Sequence, residues 1–320
     1  MTGLVSHSRT LSFGNVARRI TDGNGKSKYV NSSLVVQVTP NGAFLLEYDM
    51  TMGTYVQHTR WEQRGTEVVA ASVNPSQVVL ALNVGKLVVL NITQDNAFNV
   101  VVCVYVLVFL CQDLNSLSSQ GNIGEISTVS CTPQDPSKYF SNYVTVSYWG
   151  KNEIEVFVLD RQGFVSVSKS PPLPALVRSA ILYNFGSDAS TKGADYHPHI
   201  LAGLADGSVV YFAWKDKQLK DRKTISLGHS PVSLTVCEVD GKRAVFAAGN
   251  RATVLSWEKK RVHTSPIMLK VPNLYSYLTE LTGPFVGNCW SVTFEYRNIQ
   301  VVSHFRYAYR ALHRPSQGLG

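Results

Sequence analysis

The chain of 320 residues carries 30 Lys and Arg against 22 Asp and Glu, a net charge of +8, with 44% apolar and 16% charged residues. A chain this apolar buries enough surface to offset its ordering entropy, which excludes disorder, and so few charges exclude a coiled coil or long helical repeat. Short β-rich runs punctuated by turn residues begin near residue 34. SLVVQVT (33–39) meets AFLLEY (43–48) across Asn41-Gly42, a hairpin signal because both residues tolerate positive φ;. EVVAASV (67–73), QVVLAL (77–82) and LVVLNI (87–92) follow, then ISTVSC (126–131), YVTVSY (143–148) and EIEVFVL (153–159);. A further set comprises residues 175–183, 200–204 and 208–214, with Asp206-Gly207 as a turn; the last comprises 232–238, 244–249 and 253–257. No helix of convincing length is expected anywhere.

These sets repeat. Taking the third strand of each as a marker, units start at Ala43, Leu87, Glu153, Ser208 and Thr253, at intervals of 44, 66, 55 and 45 residues. Units of roughly 40–45 residues with four short strands are the pattern of propeller blades. Blades pack on both faces, which accounts for near-continuous apolar runs such as VVLALNVGKLVVL;. Residues 55–60, 222–227 and 262–267 fit the fourth strand of three units, and no opening strand is evident before Leu34. The expected fold is all-β, a partial WD40-like β-propeller of about five four-stranded blades. The expected division is residues 1–30 as a partly irregular N-terminal segment, 31–270 as blades and 271–320 as a divergent basic tail.

The charge is uneven: residues 1–30 carry +4, residues 31–150 carry −4 and residues 151–320 carry +8. A basic balance admits an anionic partner such as nucleic acid, but a solvated surface with an odd tail is the simpler reading. Two clusters could meet phosphate, KDKQLKDRK (215–223) and Lys259-Lys260-Arg261, and both fall where hairpin connections are expected. Neither has the aromatic interleaving that single-strand binding uses.

Chemistry is sparse. No G-x-S-x-G, H-E-x-x-H or EF-hand pattern occurs, and no catalytic, cofactor or metal residue is assigned;. Gly25-Lys26-Ser27 resembles the end of a phosphate loop, but Ile20 and Arg18-Arg19 stand where a glycine and a strand are needed, so a loop between strands is expected;. His197 and His199 flank Pro198 and would share one strand face, with Asp195 nearby, yet no third ligand is in view, so a structural role is expected;. The five cysteines, Cys103, Cys111, Cys131, Cys237 and Cys289, have neither disulfide nor zinc spacing;.

The apolar segment VVVCVYVLVFLC (100–111) is too short to span a bilayer and reads as a buried strand;. The interval around it nonetheless exceeds a normal unit, so part of the run from Cys103 to Cys111 is also open to reading as a translated insertion. The opening residues MTGLVSHSRTLSFGNVARR have neither the apolar core nor the order of a signal peptide, so none is expected among them;.

The wording of the repeat carries more than its period. Asp206-Gly207 with Tyr211-Phe212, Asp221-Arg222-Lys223, Leu227-Gly228, Pro231-Val232 and the run from Asn250 through Arg251, Ala252 and Thr253 to Val254 resemble the DNA damage-binding protein 1 family. Gly14-Asn15-Val16, Trp61-Glu62 and Ser76-Gln77-Val78-Val79 fall in the same order, so the resemblance covers most of residues 11–270. The family is shared with splicing and cleavage/polyadenylation subunits; its members are longer chains of three propellers, and this chain resembles the second. The resemblance implies a nuclear, non-catalytic scaffold that docks a cullin-4-type protein in a ubiquitin-ligase adaptor for DNA repair. It also implies DNA association through a larger complex, with no membrane, small-molecule substrate or cofactor. The alternatives are a nucleic-acid-binding propeller of a pre-mRNA processing subunit and a truncated fragment without independent function. No partner-binding residue is transferred, and the pattern stops after Lys270, where Arg297, Arg306, Arg310 and Arg314 are added.

Overall fold

The computed structural model describes residues 9–267, apart from residues 22, 24, 26, 106–124, 136–137, 161–162, 187–194 and 240. Among the described residues the chain forms twenty strands and no helix, arranged as five four-stranded antiparallel sheets. The first sheet holds β1 (Ser12–Thr21), β2 (Ser27–Thr39), β3 (Gly42–Asp49) and β4 (Thr54–Trp61). The second holds β5 (Val68–Val73), β6 (Gln77–Leu82), β7 (Lys86–Ile92) and β8 (Phe98–Tyr105). The third holds β9 (Ile126–Ser130), β10 (Tyr143–Tyr148), β11 (Lys151–Asp160) and β12 (Gly163–Lys169). The fourth holds β13 (Val177–Asn184), β14 (Pro198–Leu204), β15 (Ser208–Lys215) and β16 (Gln218–Ser226). The fifth holds β17 (Ser233–Val239), β18 (Lys242–Ala248), β19 (Thr253–Glu258) and β20 (Arg261–Pro266).

Each sheet runs in chain order from its first strand to its fourth. The first strands touch in succession, β1 with β5, β5 with β9, β9 with β13 and β13 with β17, so they surround a common axis;. Among the described residues no comparable contact joins the fifth sheet back to the first. The architecture is the expected propeller of five blades, and all five marker residues lie in third strands.

Alternation along each central strand divides its side chains between two neighbouring blades. On β6, Val78, Leu80 and Leu82 pack against the first sheet, while Val79 and Ala81 pack against the third. On β14, Ile200, Ala202 and Leu204 face the third sheet and Leu201 faces the fifth. Both faces are therefore apolar, and burial of each such side chain contributes about 1.5–3 kcal/mol.

Three expectations need correction. An opening strand does precede Leu34: β1 pairs with β2 from Ser12↔Val38 to Thr21↔Ser27 across a bulge. Its Arg18 and Arg19 conceal it, because this end of the hairpin extends beyond the apolar part of the sheet. As far as residue 105, the run starting at Val100 is not a buried strand but the outermost strand of its blade: Val100 and Val101 are 46% and 42% exposed, and Val102 alone of the three is buried. Cys103 of β8 pairs with Val88 of β7, whereas Cys111 lies outside the described residues. The Thr39↔Gly42 pairing makes Pro40 and Asn41 the turn residues of the first hairpin. Gly42 sits at φ +152, and a Cβ there would come within 2.1 Å of the Trp61 carbonyl oxygen.

The two basic clusters occupy the outer hairpins of consecutive sheets. Lys215↔Gln218 and Glu258↔Arg261 leave two-residue turns, Asp216-Lys217 and Lys259-Lys260, all four residues at positive φ between 50° and 61°. This is the type I′ geometry that Asn-Gly fits and that costs a side-chain-bearing residue roughly 1 kcal/mol. Replacing Lys259-Lys260 by Asn-Gly is expected to stabilise the chain by about 1 kcal/mol, a rise of roughly 2–4 °C in thermal midpoint. An unchanged or lowered midpoint would refute this turn geometry.

Candidate protein-interaction surface

Each blade presents its first-to-second and third-to-fourth connections on one face of the disc, and its second-to-third turns on the other. On the second-to-third face, Trp149 occupies the β10–β11 turn with Gly150 and is 45% exposed. The turn is held from both sides. Trp149 donates its backbone N–H to the Glu125 carbonyl at 2.8 Å, tying it to the approach to β9. The preceding Tyr148 is fully buried, and its hydroxyl donates to Glu155 Oε2 at 2.8 Å. Burial, reinforced by the Glu155 charge, holds this phenol well above its usual pKa, so it remains a donor;.

Arg178 of the fourth sheet lies with its guanidinium carbon 5.0 Å from the centre of the Trp149 ring. Its aim has a local cause: the β13–β14 register shifts between Val177 and Ser179, so Arg178 is the unpaired residue of a bulge;. The cation–π contact, worth about 0.5–1 kcal/mol at an exposed site, joins the third and fourth sheets on this rim. Trp and Arg are the residue types that most often anchor protein interfaces. The sequence reading missed Trp149; its signal is a bulky aromatic beside a turn glycine, where a polar residue is usual.

The residues weighed from sequence fall elsewhere. His197 and His199 do share a side, each ring packing on Trp257 with centroids 4.9 Å and 4.6 Å away. His199 is 5% exposed, and burial pulls its pKa down to about 4. Among the described residues no group of three or more His, Cys, Asp or Glu is placed to hold a metal ion. Gly25 and Ser27 belong to the β1–β2 connection and the start of β2; Lys26 lies outside the described residues. Lys220 pairs with Asp216 at 3.5 Å within its own hairpin, and Arg222 donates to the Pro172 carbonyl at 3.2 Å. Cys103, Cys131 and Cys237 are free; burial raises the Cys131 and Cys237 thiols to about 11 and about 12, which keeps both protonated and inert;. Among the described residues no helix is long and apolar enough to cross a membrane.

Five antiparallel four-stranded sheets around one axis, with exposed anchors on a rim and apolar inter-blade seams, define a β-propeller;. A sequence model described as RSE1/DDB1/CPSF1 second beta-propeller matches residues 2–287, and the chain belongs to that family. It is 29% identical over 245 residues to DNA damage-binding protein 1 of Oryza sativa subsp. japonica, covering 76% of this chain and 20% of the relative. It is 27% identical over 239 residues to DNA damage-binding protein 1a of Arabidopsis thaliana, covering 74% and 19% respectively. Splicing factor 3B subunit 3 of Danio rerio is 22% identical over 283 residues, with 83% of this chain and 21% of that protein covered. The chain thus spans about a fifth of the length of these relatives.

Proposed function

We propose that this chain is a non-catalytic propeller scaffold that docks a cullin-4-type protein within a nuclear ubiquitin-ligase adaptor serving DNA repair. Family membership and the names of the DNA damage-binding relatives support the adaptor reading. The observation that carries the choice of surface is Trp149, half exposed on a turn fixed by buried Tyr148 and steadied by Arg178 of the next blade. An aromatic anchor already held in place loses little conformational freedom on binding, so its contact area is converted efficiently into affinity. Contact with DNA, on this reading, runs through the larger complex: the basic hairpins carry Asp216, Asp221 and Glu258 among their cations.

Capture of the folded chain on an immobilised cullin-4 amino-terminal segment tests the proposal. Binding is expected for the unmodified chain, with Trp149→Ala weakening it about tenfold or more, as a central anchor does. Failure of the folded, unmodified chain to bind refutes cullin docking. Undiminished binding by Trp149→Ala refutes the choice of face.

A further inference from the structure

Two of the first-to-second connections are long, residues 131–142 between β9 and β10 and residues 185–197 between β13 and β14; the others are short, with only residues 74–76 between β5 and β6 and 240–241 between β17 and β18. Residues 131–135 and 138–142 of the β9–β10 connection make contacts far outside the third sheet.

Toward the first sheet, the Tyr139 ring stacks on Tyr29 of β2, with centroids 4.6 Å apart and planes 22° from parallel. Toward the second, Ser76 Oγ donates to the Tyr139 carbonyl at 2.7 Å, and Ser141 N–H donates to Gln77 Oε1 at 2.7 Å. Asn74 Nδ2 donates to the Cys131 carbonyl at 2.9 Å. Toward the fourth, Asn184 N–H donates to the Gln134 carbonyl at 2.8 Å, and the Gln134 amide donates to the Tyr196 hydroxyl. Toward the fifth, Asp135 Oδ1 pairs with Arg243 Nη2 at 3.0 Å, and Arg243 Nη1 donates to the Gly186 carbonyl at 2.6 Å. Asp135 is 5% exposed and Arg243 is partly buried. One connection therefore reaches all four other sheets, and its ion pair joins the third sheet's connection to the fifth sheet, past the fourth.

We propose that this connection is a strap that couples the five described sheets into one cooperative unit. The physical case rests on the contacts it makes with every other sheet. In an array where each sheet touches only its neighbours, stability is a sum of neighbour terms and the end units open first. The strap gives both end sheets a direct bond to the middle one. An ion pair with a buried carboxylate suits such coupling, because opening the fifth sheet separates Asp135 from its counter-charge and few alternative positions satisfy it. The stacked tyrosines play the same part toward the first sheet.

Hydrogen exchange of the full chain, read peptide by peptide, tests the strap. Asp135→Leu with Arg243→Met removes both charges together, leaving no uncompensated buried charge. It is expected to accelerate exchange at least tenfold in β19 while β10 is unchanged. Tyr139→Leu is expected to do the same in β3, at the opposite end, again sparing β10. Unchanged exchange in the end sheets overturns the proposal. So does equal acceleration in all five sheets, global unfolding included, because the segment would then be ordinary core rather than a coupling element.

Discussion

Between pH 6.5 and pH 4 the folded chain is expected to lose about 3 kcal/mol of stability at His199 alone. The ring lies on β14 against Trp257, with Phe185 and Tyr211 edge-on at 5.8 Å and 6.1 Å. Its Nδ1–H donates to the His197 carbonyl at 2.9 Å, which leaves Nε2 as the atom to protonate;. Burial is the main cause of the depressed pKa, and the charges of His197, Lys215 and Lys223 add to it. An unfolded histidine takes up its proton near 6.5, whereas the folded one stays neutral until about 4;. Within that window the unfolded chain binds more protons, so stability falls as pH falls and is complete above the window. A displacement of roughly 2.5 pH units at about 1.4 kcal/mol each sets the magnitude.

Two carboxylates respond in a different range. Hydrogen bonding from Ser33 and His58 lowers the Glu47 pKa, and bonding from Thr51 and Met52 lowers that of Asp49; both titrate below their ordinary values of 4.5 and 3.8. Urea midpoints measured at steps from pH 7 to pH 4.5 separate the contributions. The unmodified chain should lose stability throughout, whereas His199→Phe, which keeps the aromatic contacts, should be nearly flat. Parallel curves for the two proteins would remove His199 as the cause.

Gly203→Ala is expected to destabilise the chain by about 3 kcal/mol, at the upper end of ordinary overpacking. Gly203 of β14 pairs with Val209 of β15, at the seam where the fourth sheet meets the approach to β17. A Cβ there would lie 2.3 Å from the Val232 carbonyl oxygen. That oxygen is backbone and cannot swing aside, and Val232 N–H is itself bound to the Leu204 carbonyl at 3.0 Å. Relief therefore requires moving the fifth blade away from the fourth. Gly150→Ala serves as the comparison, because a Cβ there meets nothing within 4 Å; its effect should stay within about 0.5 kcal/mol;. Equal denaturant midpoints for the two variants would refute the close approach of these blades.

The legible part of the fold was its buried part. Third strands such as VVLNI and VVYFAW are apolar on both sides because each lies between two neighbouring blades, so their spacing marked every unit. Outer strands were harder to read. β12, GFVSVSK, shows mostly solvent-facing positions and was missed, since a strand wetted along one side needs little apolar patterning;. β8 was visible as apolar sequence, but its place at the blade edge was not, because hydrophobicity reports burial only where neighbours exist. Lys259-Lys260 fell at a turn as expected, whereas only Asp216-Lys217 of the 215–223 cluster did, residues 218–223 lying in β16; the positive φ of these turn residues had no sequence signal.

Composition, strand period and turn residues by themselves determined an all-β chain with a propeller-like repeat of about five units, and the wording of the repeat pointed to its family. These are properties of neighbouring residues, set by side-chain alternation and backbone conformational preference. Only the tertiary structure decided that Arg178 leaves its strand at a bulge to meet Trp149. The same is true of the burial of His199 against Trp257 and of the reach of Asp135 over an intervening blade to Arg243. Each depends on where blades sit around an axis, and that placement brings together residues 29, 58 and 108 positions apart for which local patterning holds no information.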